Sequence, residues 1–128
     1  MAKEGIEIVK IFIVDDKLFF HQMYKNFFEM EGYEVIGNAY NGSEAVSEYK
    51  KLEPKPDIVI MDHIMPYRNG LEAAKEILEY DSEAKIIFVS IDQNIKNLAM
   101  DAGVLRFISK PFQMQSLLDN IREIAEEQ

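Results

Sequence analysis

Two textures alternate along the chain. Short runs dominated by β-branched and other apolar residues recur as EIVKIFIV (7–14), YEVIG (33–37), DIVIM (57–61), KIIFVS (85–90) and LRFIS (105–109). Between them lie longer segments whose apolar positions step by three and four, the spacing of a helix face. The first carries Phe20, Met23, Tyr24, Phe27 and Phe28 and stops at Gly32, a residue suited to the left-handed position just past a helix. The second opens with Asn41-Gly42-Ser43-Glu44, where Asn41 can cap and Glu44 can reach back to the cap. A third, LEAAKEILEY, follows Asn69-Gly70 and is rich in good helix formers. A fourth starts after Asp92 with Ile95, Leu98 and Ala99 on one face, and the last presents Leu117, Leu118, Ile121, Ile124 and Ala125. Five strands alternating with five helices predict an α/β fold, a parallel sheet with helices on both faces. Near-continuous runs such as IIFV fit strands buried on both sides.

Composition narrows the field. A length of 128 residues suits one domain over 1–128, and a chain of this size buries about two-thirds of its surface, enough for a core without staples. The chain has no cysteine, which excludes disulfides and thiolate metal sites. A formal charge of −9 argues against direct binding to nucleic acid, whose phosphates demand cations. No apolar run approaches the ~18–20 residues needed to span a bilayer, and MAKEGIEIVK lacks the apolar stretch of a signal peptide. A soluble, cytoplasmic protein without membrane insertion is expected. Nothing follows the last helix, so a stand-alone domain acting by docking is expected as well.

In open α/β sheets, ligands bind outside the carboxyl ends of the strands. Here the first strand ends in Asp15-Asp16, the third in Asp62, the fourth in Ser90 and the fifth in Ser109-Lys110-Pro111. Three carboxylates, a hydroxyl and an ammonium should therefore converge on one rim. Two carboxylates about 5 Å apart repel by roughly 3 kcal/mol at an effective dielectric near 20. Such a cluster calls for a counter-charge, and Mg²⁺, a hard cation that takes oxygen ligands and keeps several waters, suits it. Lys110 would add a compact positive charge for an anion bound at the same place.

The motifs VDD at 14–16, MDHIMPYRNG at 61–70, FVS at 88–90, AG at 102–103 and FISKPF at 107–112 stand in this order along the chain. In order and spacing the sequence resembles the response-regulator receiver domains of two-component signalling. The resemblance implies strand order 2-1-3-4-5, the flavodoxin-like order for which the chemotaxis receiver is itself a reference case. It also implies a phosphorylatable switch rather than an enzyme turning over external substrates, with a chemotaxis role as one option. By that resemblance Asp62 is the phosphoacceptor, attacking a phosphohistidine of a histidine kinase or phosphotransfer protein, or a small phosphodonor. Asp16 is a direct Mg²⁺ ligand, Asp15 holds a metal water, and the Ile64 carbonyl completes the protein's share. Lys110 binds a phosphoryl oxygen, and Lys110-Pro111 is cis. Ser90 swings its hydroxyl onto the phosphoryl group, and Phe107 turns inward after it. A downstream target protein would then read the face formed by helix four, strand five and helix five, around Lys96, Met100, Arg106 and Met114.

Each residue also has a plainer reading. Asp15-Asp16 can cap a helix and meet its dipole, Asp62 can start a turn before Met65-Pro66, and Ser90 and Lys110-Pro111 can simply end strands. His63 reads as a loop residue, His21 as a solvated or partner-facing residue of the first helix. Met23, Met61 and Met100 read as core filler, and the acids at 123, 126 and 127 as a solvated helix end. Departures from the family pattern are Phe107 for tyrosine, Ser90 for threonine, Arg106 for glycine, and Ile91 for a small residue at the mouth of the site. Ile64 and Asp92 flank the site where hydrolysis is tuned, and of the two only Asp92 could orient a water. Other classes stay open. A constitutive binding module is disfavoured by the full acid cluster with Lys110. A Mg²⁺ phosphohydrolase would need a cap and a second aspartate where Ile64 stands. A flavin carrier would need a Ser/Thr/Gly-rich cradle where the first turn is acidic.

Overall fold

The computed structural model describes residues 7–65 and 68–127. Strands β1 (Lys10–Val14), β2 (Glu34–Ala39), β3 (Ile58–Asp62), β4 (Ile86–Ser90) and β5 (Arg106–Ser109) alternate with helices α1 (Leu18–Met30), α2 (Gly42–Lys51), α3 (Gly70–Tyr80), α4 (Lys96–Ala102) and α5 (Met114–Glu126). Every pairing is parallel and the sheet runs β2-β1-β3-β4-β5, the expected order. The start of MAKEGIEIVK, Pro66-Tyr67 of the MDHIMPYRNG motif, and Gln128 lie outside the described residues.

Strand periodicity explains how both faces are covered. Side chains alternate across a sheet, so Ile11, Ile13, Ile58, Ile60, Ile87 and Val89 face α1 and α5, packing with Tyr24, Phe28, Leu117, Ile121 and Ile124. Phe12, Val14, Val59, Met61, Ile86 and Phe88 face α2, α3 and α4, packing with Ala45, Tyr49, Ala73, Ile77 and Ala99. The central strands β3 and β4 are buried along their whole length, whereas edge strand β2 is only half covered.

Several local expectations need adjusting. β1 starts at Lys10 rather than at Glu7, and the Lys10 N–H is taken by the Asp57 carboxylate at 2.8 Å. Asn41 caps α2 by accepting the Glu44 N–H at 2.8 Å, but Glu44 reaches back to the N–H of Tyr40, one residue before the cap. A 3₁₀ turn, Gln93–Ile95, precedes α4, with Asp92 accepting the Asn94 N–H. Met61 is core, but Met100 is 41% exposed, and Phe27 also reaches solvent at 38%. The acidic end of α5 is not simply solvated, since Glu123 and Glu127 stand 3.6 and 3.8 Å from the Arg106 guanidinium.

Two glycines are required for different reasons, one by its backbone conformation and one by lack of room. Gly32, at φ +85°, ends α1 as its position in the sequence suggests. At Gly70 a Cβ would lie 2.1 Å from the Asp62 carbonyl oxygen, so α3 starts pressed against the end of β3. Asn69 caps that helix by accepting the Glu72 N–H at 2.9 Å.

Candidate functional site

Parallel register aligns the carboxyl ends of the inner strands. Val14 lies opposite Met61, Asp62 opposite Val89, and Ser90 opposite Ser109. The residues at and just past these ends therefore share one rim. Acceptor oxygens of Asp15, Asp16 and Asp62 all lie within 4.8 Å of one another. They line a cavity of about 220 Å³ together with Lys17, Ile64, Ile91 and Lys110. Asp15 and Asp62 are buried, at 2% and 7% exposure.

The β1–α1 loop is held on every side. The Asp15 N–H donates to the Ala39 carbonyl at 3.1 Å, its Oδ1 accepts the Lys17 N–H at 2.9 Å, and its carbonyl accepts from His21 Nε2 at 2.7 Å. The plain capping reading of Asp15 is thus partly met, although Lys17, the N-cap of α1, offers no side-chain bond itself. Opposite, Lys110 Nζ donates to Asp62 Oδ1 at 2.8 Å and stands 3.9 Å from Asp15 Oδ2. The same ammonium sits 4.9 Å above the Phe20 ring, a cation–π contact. The Lys110-Pro111 peptide is cis.

Burial dominates the electrostatics. Loss of water pushes the Asp15 carboxyl above the usual carboxylate range, and the neighbouring Asp62 and Asp16 charges add to the push. The Lys17 N–H and the Lys110 ammonium oppose it without cancelling it. Burial likewise raises Asp62, against its hydrogen bond to Lys110. Three carboxylates thus face one half-buried ammonium, with Lys17 only an exposed neighbour of Asp16 at 3.7 Å. An all-oxygen donor set with excess negative charge fits a hard divalent cation such as Mg²⁺.

The remaining expected site residues sit around this centre. Ser90 is buried, its Oγ accepting the Asp92 N–H at 2.9 Å. Asp92 in turn caps the 3₁₀ turn. The Phe107 ring is partly buried and stacked on Phe88 with centroids 6.0 Å apart. Ile64 and Ile91 line the cavity with exposed side chains, at 56% and 64%. Arg106 turns to α5, bonding Asn120 at 3.2 Å. His63 leaves the acid cluster and packs 5.6 Å from Phe88.

His21 is not solvated or partner-facing, contrary to expectation. It is 4% exposed and bonded to Asn38 as well as to Asp15. The signal was present in the sequence, because 21, 24 and 28 form one helical stripe with the buried Tyr24 and Phe28. Asn38, at the end of the edge strand, and Phe20, beneath Lys110, carried no comparable signal.

Comparison with known proteins agrees with this geometry. The model of the response regulator receiver domain matches residues 11–122. The chain is 44% identical to the chemotaxis protein CheY of Thermotoga maritima, covering 91% of this chain and 97% of that protein. It is 41% identical to CheY of Bacillus subtilis, over 89% and 95% of the two chains. Among solved structures it superposes on the CheX–CheY–BeF3–Mg²⁺ complex from Borrelia burgdorferi with a TM-score of 0.85 and 30% identity, covering 91% of this chain and 88% of that one. The paired acids, the third aspartate and the lysine thus stand on a CheY-like scaffold, and the chain belongs to the response regulator receiver domains of two-component signalling.

Proposed function

We propose that this receiver accepts a phosphoryl group on Asp62 from a phosphohistidine, in a Mg²⁺-dependent reaction, and thereby changes its affinity for a partner protein. The observation that carries this reading is the gathering of Asp15, Asp16 and Asp62 in one cavity, with Lys110 Nζ 2.8 Å from Asp62 Oδ1.

An Asp62 carboxylate oxygen attacks phosphorus, the P–N bond of the donor breaks, and its electron pair leaves with the imidazole. Asp15, Asp16, Asp62 and the Ile64 carbonyl would hold the metal. When bound, Mg²⁺ supplies positive charge for the phosphoryl oxygens. Lys110 exchanges its bond to Asp62 for one to a phosphoryl oxygen. Burial makes each such charge-assisted bond strong. Ser90 gives up the Asp92 N–H and donates its hydroxyl hydrogen to the phosphoryl group. Phe107 follows inward, which alters the face of α4, β5 and α5 around Lys96, Met100, Arg106 and Met114, where a downstream target docks. The kinase or phosphotransfer protein and the target would be met in the cytoplasm. The CheY relatives favour a chemotaxis pathway.

Beryllofluoride, a mimic of the phosphoryl group, tests this reading. Saturable uptake that requires Mg²⁺ and moves the Ser90 and Phe107 NMR resonances is expected. No uptake with Mg²⁺ present would contradict it.

A further inference from the structure

A buried imidazole needs a reason, and His21 has two. Its Nε2 and Nδ1 lie 2.7 Å from the Asp15 carbonyl oxygen and from Asn38 Oδ1 respectively. Its ring packs against Tyr40 with centroids 4.2 Å apart. A carbonyl can only accept, so Nε2 carries the hydrogen. At Nδ1 either a charged ring donates to Oδ1, or a neutral ring accepts from an Asn38 amide turned end for end. The bond from Nε2 to Asp15 is the same in both.

That bond falls on the peptide joining the two acids. The carbonyl of Asp15 and the N–H of Asp16 belong to one rigid plane that runs to the Asp16 Cα, so fixing the carbonyl fixes where that Cα sits and leaves only the torsions of Asp16 itself to aim its side chain. The Asp15 N–H is already tied to Ala39 of β2, and Asn38 ties the imidazole to the same strand. Adjacent like charges push this loop to rotate and spread. His21, rooted in α1, opposes that rotation from the buried side.

We propose that His21 is a positioning residue of the acid pocket: its Nε2–H locks the Asp15-Asp16 peptide so that both carboxylates face one divalent cation. The inference rests on the metal-dependent reading of the pocket given above. Groups that orient metal ligands without touching the metal typically change affinity by about ten- to a hundredfold.

The test uses the full chain and Mg²⁺ alone, titrated by calorimetry. In His21→Leu, which keeps bulk but loses the donor, affinity should fall by about tenfold or more. His21→Gln, whose amide can reach the Asp15 carbonyl, should stay within about threefold of the unmodified protein. A Leu variant that binds as tightly as the original, or a Gln variant that loses as much as Leu, would overturn the proposal. Should the Leu variant fail to fold, the unmodified protein decides. Its Nε2–H proton resonance should shift when Mg²⁺ saturates the pocket, and an unmoved resonance would overturn the proposal too. Absence of any Mg²⁺ heat from the unmodified protein would instead remove the metal-dependent reading itself.

Discussion

Asp15 is a buried carboxylate whose ionisation opposes the metal-free fold. Its acceptor for the Lys17 N–H survives in Asp15→Asn, while its charge does not. The bare repulsion between two carboxylates about 5 Å apart, roughly 3 kcal/mol at an effective dielectric near 20, is offset in part by Lys110. Asp15→Asn should therefore stabilise the metal-free protein at neutral pH by about 1 kcal/mol, read by urea unfolding, and should weaken Mg²⁺ binding. The pH dependence has a definite sign. A carboxyl raised by folding contributes stability that is fully present below the ordinary aspartate range and lost as pH rises through its raised folded value. The variant's advantage should thus be largest at neutral pH and shrink on acidification; an advantage that grows would contradict the assignment. At this scale the sequence was only partly legible. The acids and Lys110 stand at strand ends and were readable, but Asn38, which bonds His21, and Phe20, which lies beneath Lys110, reach the site only through packing across elements.

At the scale of elements, the joint between β3 and α3 is the tightest part of the site. A Cβ at Gly70 meets the Asp62 carbonyl oxygen at 2.1 Å, so Gly70→Ala must shift the strand end or the helix. Overpacking of this kind costs about 1–3 kcal/mol, and the expected outcome is a lower unfolding midpoint together with weaker Mg²⁺ binding. Ile91 offers the opposite case. It lines the cavity yet is 64% exposed, so Ile91→Ala should leave stability within about 0.5 kcal/mol. It should speed phosphorylation by a protein donor more than by acetyl phosphate, and an unchanged ratio of the two rates would remove Ile91 as a restriction at the mouth. The elements themselves were legible because periodicities of 2 and 3.6 are written in apolar positions. β2 and α4 differ in their bounds from the sequence pattern. β2 is a half-covered edge that runs on through the polar Asn38 to Ala39, and α4 begins as a 3₁₀ turn set by Asp92. Neither feature leaves a mark in hydrophobic spacing.

For the whole molecule, the sheet connects a charged rim to the face formed by α4, β5 and α5, and the proposed function requires the two to be coupled. Phe107 stacks on Phe88, and its neighbour Arg106 is held by Asn120 and Glu123 of α5 and by Glu127 just past its end. Moving a two-state equilibrium from 1:99 to 99:1 takes about 5.5 kcal/mol of differential contact, a range that a few charge-assisted hydrogen bonds in a partly dry pocket approach. Phe107→Ala should accept phosphate yet lose the phosphate-dependent change in affinity for a target, and an unaltered response would detach Phe107 from the coupling. All of this presupposes that Asp62 takes the phosphoryl group. Intact-mass spectrometry after incubation with acetyl phosphate and Mg²⁺ measures that directly. One phosphate should be gained by the unmodified protein and none by Asp62→Asn. An unmodified mass with Mg²⁺ present, or an equal gain in Asp62→Asn, would contradict it.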